Sequence, residues 1–202
     1  TSVSREVISF TRVVTVSLPL SRVSQTPLDV VLILDRSGSM SQSIPGDPYT
    51  KLTSAKMAAK SFVDQLNSTS DRVGLVSYSD TARTDSGLTN NFNLVKQKID
   101  SLSANGYTNI GDGLAKMIAE FSANARPGAI LATILLTDGV ANRPCPHSPQ
   151  HVQTCPNAAD YALDQSSIAS GLGILIYTIG LGSSRTDFNE DLLKAMQTNG
   201  YF

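Results

Sequence analysis

Asp35, Ser37 and Ser39 stand at alternate positions in LILDRSGSM, residues 32–40, directly after a run of aliphatic residues. Where a chain leaves a strand, side chains at such a spacing can converge on one point above the sheet edge. One carboxylate and two hydroxyls make a hard, oxygen-only set of low charge. That set suits Mg²⁺, Mn²⁺ or Ca²⁺ and does not suit zinc or copper. Three donors do not fill an octahedron. Thr108, in NGYTNIGDGL, and Asp138, in LLTDGVAN, are the candidates to complete it. Each residue also has a plain reading. Asp35 alone suits a loop or cap, Ser37 and Ser39 suit caps or turns, and Thr108 suits a helix N-cap. Asp138 could act through water. The five residue types occurring together in this order favour the metal reading.

The elements that must position these residues alternate along the chain. DVVLIL (29–34), AILATILL (129–136) and ILIYTIGL (174–181) are continuous apolar runs, expected of strands covered on both faces. RVGLVSYS (72–79) reads as a further strand. Leu52, Ala55, Ala59, Phe62, Val63 and Leu66 recur at helical spacing. Residues 91–102, 111–123, 157–172 and 188–199 also read as helices, with Gly171 and Gly173 as stop signals for the third of these. Met57 and Met117 fall on helices and are expected to fill the core. Strands alternating with helices predict an α/β fold with a largely parallel sheet and helices on both faces. Ligands in such sheets sit at the carboxyl ends of strands, where the strand order reverses. Asp35 and Asp138 each follow a buried run, so both are expected on that edge.

The chain has 202 residues, 41% hydrophobic and 16% charged, which is globular rather than disordered in character. A net charge of −1 gives no basis for a nucleic-acid partner. No apolar run reaches the length of a membrane span, so direct membrane insertion is not expected. EVISFTRVVTVSL (6–18) alternates as a half-buried strand, and Pro19 and Pro27 bracket a linker after it. Enzyme signatures are missing: there is no G-x-S-x-G elbow, no GxxxxGK loop and no GxGxxG after the first strand. Asn67-Ser68-Thr69 fits the glycosylation triplet but reads more simply as a helix end.

With these residues in view, the sequence resembles the von Willebrand factor type A domains, a family that includes the inserted domains of integrins. The resemblance covers about residues 28 to 202. It rests on the DxSxS run, the threonine before a helix and the T-D-G after a buried strand, in that order. It implies a doubly wound, Rossmann-like sheet carrying a metal-ion-dependent adhesion site. Asp35, Ser37 and Ser39 match the first motif of that site, Thr108 the second and Asp138 the third. The family's ion is usually Mg²⁺, and a ligand's own acidic residue commonly takes the last coordination position. PLDVVLILDRSGSM, YTNIGDGL and YTIGLG…EDLLKAM are most similar to bacterial surface and tight-adherence pilus-associated members. Tyr107 stands where many relatives have a small residue, and either narrows access to the ion or contacts the ligand.

The resemblance divides the chain into a β-strand extension with its linker, 1–27, and the domain, 28–202. In the family a final strand and a closing helix begin near Gly200-Tyr201-Phe202, so the chain reads as a piece of a longer context that lacks this helix. The function implied is a non-enzymatic adhesion or protein-binding module at the cell surface or outside the cell, capturing an exposed Glu or Asp of a partner through a divalent cation. Two other readings stay open: a structural or assembly component of a pilus or surface layer, and an intracellular chelatase-type assembly subunit. CPHSPQHVQTC (145–155) bears on the choice. Cys145 and Cys155 could close a disulfide, or could bind zinc with His147 and His151. An extracytoplasmic module favours the disulfide, worth about 2–3 kcal/mol if unstrained.

Overall fold

The computed structural model describes residues 26–139, 141–142, 157–182 and 189–198. The N-terminal alternating segment and the Cys145–Cys155 segment lie outside the described residues.

The first apolar run forms strand β1, Leu28–Asp35, buried along its whole length. Its side chains alternate between two cores. Val30, Leu32 and Leu34 pack on one face, with Leu52, Ala55, Ala59 and Val63 of helix α1 (Lys51–Val63) and Val95 and Ile99 of α2 (Phe92–Asp100). Val31 and Ile33 pack on the other face. There they meet Ile110, Leu114 and Met117 of α3 (Ile110–Asn124), Ala162 and Ala169 of α4 (Ala158–Gly171), and Leu192, Leu193 and Met196 of α5 (Glu190–Met196). Burial on both faces is why the strand carries no polar alternation.

The remaining strands are β2 (Arg72–Tyr78), β3 (Ala82–Thr89), β4 (Ile130–Thr137) and β5 (Leu175–Gly180). Among the described residues the sheet order is β3-β2-β1-β4-β5, with β3 antiparallel to β2 and the other pairings parallel. The mixed, mostly parallel sheet with helices on both faces is the α/β architecture expected from the sequence. β3 was not expected: ARTDSGLT offers little apolar pattern, and its register against β2 shifts between Val73 and Val76. Glu120 of α3 offsets the irregularity, its Oε1 accepting the Leu88 N–H at 2.8 Å. Met117 is fully buried, but Met57 is 42% exposed, so Met57 lies on the solvent side of α1 and does not fill the core. Of the two expected stop signals, Gly171 is the last residue of α4, and Gly173 acts as expected: it takes φ +75°, and the N–H groups of Gly173 and Ile174 satisfy the carbonyls of Ser170 and Ala169.

The order reverses at β1. β2 lies on one side of it and β4 on the other, and the chain leaving β1 enters α1 on one face while the chain leaving β4 enters α4 on the opposite face. The two loops therefore diverge, and a crevice opens between the carboxyl ends of β1 and β4. At the other end of the sheet, Asp29 is buried and clamped by Arg72 (2.6 Å) and Arg126 (2.6 Å), tying β1 to β2 and to the segment after α3.

Candidate metal centre

Asp35 is the last residue of β1 and Asp138 follows the last residue of β4, so backbone register alone delivers both carboxylates to the crevice. Asp35 is fully buried. Its Oδ1 accepts the Ser37 N–H at 2.7 Å and its Oδ2 accepts the Thr137 hydroxyl at 2.6 Å. Burial pushes its carboxyl up to about 6, against the lowering effect of those hydrogen bonds, and the nearby charge of Asp138 adds to the rise. The Tyr78 ring is fully buried beside Asp35 and Thr137, its hydroxyl making no well-formed hydrogen bond to either. Burial, with Asp35 adding to it, holds that phenol well above its usual range.

The chain then turns through a short 3₁₀ helix, Gly38–Ser41. Ser37 occupies its N-cap position, yet its side chain makes no capping hydrogen bond. The Ser37 hydroxyl instead lies 3.2 Å from that of Ser39, and the Ser39 hydroxyl donates to Asp138 Oδ1 at 2.8 Å. That last bond joins residues 99 positions apart.

Thr108 precedes α3 but is not its cap. Asn109 holds the N-cap position and its side chain accepts the Asp112 N–H. Thr108 is clamped through its backbone: its N–H donates to Asn142 Oδ1 at 2.8 Å, and the Asn142 N–H donates to the Thr108 carbonyl at 3.1 Å. The threonine loop is also zipped to the first motif, by Asn105 N–H to the Arg36 carbonyl (2.8 Å) and Gly38 N–H to the Gly106 carbonyl (2.9 Å). Gly139 passes close to the Thr108 side chain, where an added Cβ would lie 3.1 Å from Oγ1. A residue larger than glycine would crowd that hydroxyl.

The three loops enclose a cleft of about 370 Å³ lined by Ser39, Gln42, Lys51, Thr108, Asp138, Gly139 and Asn142. Tyr107, next to Thr108 in the chain, is 54% exposed. The five candidate residues are therefore gathered at one sheet edge, Asp35 and Ser37 deepest and Ser39 and Asp138 opening on the cleft with Thr108. Among the described residues no three His, Cys, Asp or Glu side chains are grouped to hold a metal ion. The centre instead combines two carboxylates with three hydroxyls, and this oxygen-only chemistry fits a hard divalent cation. Residues that motif reading missed also belong here. Thr137 and Asn142 orient the candidates, and the Lys51 ammonium lies 2.8 Å from Asp138 Oδ2. No local spacing signals them, because each meets its partner only in the folded chain.

The structure is similar to the von Willebrand factor domain of the type V pili tip protein Mfa5 from Porphyromonas gingivalis (TM-score 0.69, 17% identity, covering 87% of this chain and 88% of that one). It is also similar to the PilB minor pilin from Streptococcus sanguinis (TM-score 0.67, 20% identity, 88% and 56% covered). A von Willebrand factor type A protein from Catenulispora acidiphila matches with TM-score 0.68 and 25% identity, over 85% of this chain and 36% of that one. The chain thus spans well under two thirds of the latter two proteins. No curated relative matches the sequence. The family described as von Willebrand factor type A domain matches residues 29–201, nearly the whole chain after its N-terminal segment, and the chain belongs to that family.

Proposed function

We propose that this chain is a metal-dependent protein-binding module of the adhesive kind, with residues 28–202 as the domain and 1–27 as a β extension. Asp35, Ser37, Ser39, Thr108 and Asp138 would hold a divalent cation, Mg²⁺ or else Mn²⁺ or Ca²⁺. When bound, the ion would act as a Lewis acid toward a carboxylate oxygen of a partner's exposed Glu or Asp. The chain's own part is to orient the donors and shape the cleft. Thr137 and the Ser37 N–H fix the Asp35 carboxylate, the Asn142 clamp holds the Thr108 segment, and the exposed Tyr107 beside Thr108 would contact the partner. With hydroxyls rather than further carboxylates as donors, these residues would leave a bound ion electrophilic.

The observation that carries this reading is the Ser37–Ser39–Asp138 chain of close oxygen atoms. Ser37 stands at an N-cap position without capping, its hydroxyl lying against that of Ser39, which donates to a carboxylate from a distant strand end. Likeness to a pilus tip protein and a minor pilin supports a place outside the cytoplasm, on a pilus or surface. Among the described residues no helix is long and apolar enough to cross a membrane. The same likeness supports a second reading, a pilus assembly component whose ion site stabilises the fold.

The test is calorimetric titration of the chain and of Asp35→Ala with Mg²⁺, Mn²⁺ and Ca²⁺, with circular dichroism as the folding control. Saturable binding lost in a still-folded variant is expected. Equal ion affinity in both proteins would remove the site. If Asp35→Ala in the native assembly loses adhesion and keeps assembly, the capture reading stands over the structural one.

A further inference from the structure

We propose that Lys51 is the charge-setting residue of the centre: a tethered cation that weakens hold on the metal ion and strengthens hold on an acidic partner. The inference rests on the cation-site reading above and adds to it what makes the site select a carboxylate.

Lys51 is an unusual choice for its position. It is the first residue of α1, where the helix dipole is positive and acidic residues are favoured; the first turn of α1 contains none. Its backbone is fixed, the N–H donating to the Gln42 carbonyl at 2.8 Å directly after the Thr50 cap. Its side chain is 11% exposed, and its ammonium lies against the fully buried Asp138 side chain inside the cleft that Ser39 and Thr108 also line. A lysine on the solvent face of a helix would keep its head in water. This one turns it onto a candidate ion ligand, so helix dipole and ammonium both project positive potential into the cleft.

The charge balance gives the consequence. Asp35, Asp138 and Lys51 together leave the centre with one net negative charge. A divalent cation turns this into one net positive charge, and a single carboxylate from a partner brings it to zero. Without Lys51 the loaded centre would be neutral before any partner arrived, and capture would leave it negative. Lys51 thus competes with the ion for Asp138 Oδ2 when the partner is absent, and favours the incoming carboxylate once the ion is present.

The experiment uses Lys51→Met, which keeps the aliphatic stem, and Lys51→Arg, which keeps the charge. Mn²⁺ alone is titrated by calorimetry, and acetate is titrated into the Mn²⁺-loaded chain with water-proton relaxation as the readout. Lys51→Met should bind Mn²⁺ about tenfold more tightly and acetate about tenfold more weakly, the scale expected for one nearby unit charge. Its thermal midpoint should rise more on adding Mn²⁺ than that of the unaltered chain. Lys51→Arg should stay close to the unaltered chain in both titrations. A merely structural role would weaken both affinities together. If the unaltered chain takes up no Mn²⁺, the cation-site reading falls and this inference with it. If it does, and Lys51→Met moves both affinities the same way or neither, this inference alone is overturned.

Discussion

Replacing Thr137 by valine removes one hydroxyl and keeps nearly the same shape, so it isolates the bond that aims Asp35. That hydroxyl lies 2.6 Å from Asp35 Oδ2, and both residues are fully buried. No water can replace the donor at such depth. A hydrogen bond to an ionised group is worth about 1.5–3 kcal/mol, and leaving a buried acceptor unsatisfied puts the loss toward the upper end. The Thr137 hydroxyl oxygen also accepts the Gly139 N–H at a longer 3.2 Å, in a part-buried place where solvent can take over some of that bond. The expected destabilisation is about 2–3 kcal/mol at pH 7.5, where Asp35 is ionised. For a domain of this size that is a fall of roughly 4–12 °C in melting temperature. Ion binding should suffer as well, because an outer partner that orients a ligand typically contributes 10- to 100-fold in metal affinity, about the range expected here. Urea unfolding in chelator gives the first quantity and Mn²⁺ calorimetry the second. A change below about 0.5 kcal/mol with unaltered Mn²⁺ affinity would refute the claim that Thr137 positions Asp35.

Two further substitutions probe the clamps. Burial by itself would raise the Asp29 carboxyl, but hydrogen bonds from Arg72 and Arg126 outweigh it and hold the group below its ordinary value of 3.8. A depressed folded-state value contributes stability above the unfolded value, and that stability is lost as pH falls through the folded one. Asp29→Asn should therefore flatten the loss of melting temperature below about pH 4 and cost about 1.5–3 kcal/mol at pH 7, the scale of hydrogen bonds to a charged group whose arginine partners can still reach solvent; an unchanged slope on the acid side would count against the clamp. Asn142→Ala removes the acceptor of the Thr108 N–H and should weaken Mn²⁺ binding about tenfold while lowering stability by only about 1 kcal/mol. A loss of stability without a loss of ion affinity would mean that Thr108 is not held for the ion. For the segment outside the described residues, alkylation of native protein under non-reducing conditions should leave Cys145 and Cys155 unmodified if they are joined; two alkylated thiols would reverse the disulfide expectation.

The sequence by itself determined what local residue pattern can determine. β1 and β4 were legible because a strand buried on both faces needs an unbroken apolar run, and the helices because one face of each must be apolar at a fixed period. Two carboxylates at the ends of those runs could then be assigned to one sheet edge. β3 was not legible, since an irregular antiparallel edge strand takes some of its support from a helix side chain, Glu120, far along the chain. Met57 shows the same limit from the other side: helical spacing put it on a helix but could not say which face met the sheet. Only the tertiary structure decided which of the candidate residues act as caps. Asn109, not Thr108, caps α3, and the Ser37 hydroxyl lies against that of Ser39, which donates to Asp138. It also brought Thr137, Asn142 and Lys51 to the centre, across separations no motif spans. The reason is physical: a cap or a strand is settled within a few residues, whereas the direction of a hydroxyl or an ammonium in a crevice is settled by whichever distant polar group is buried beside it and must be satisfied.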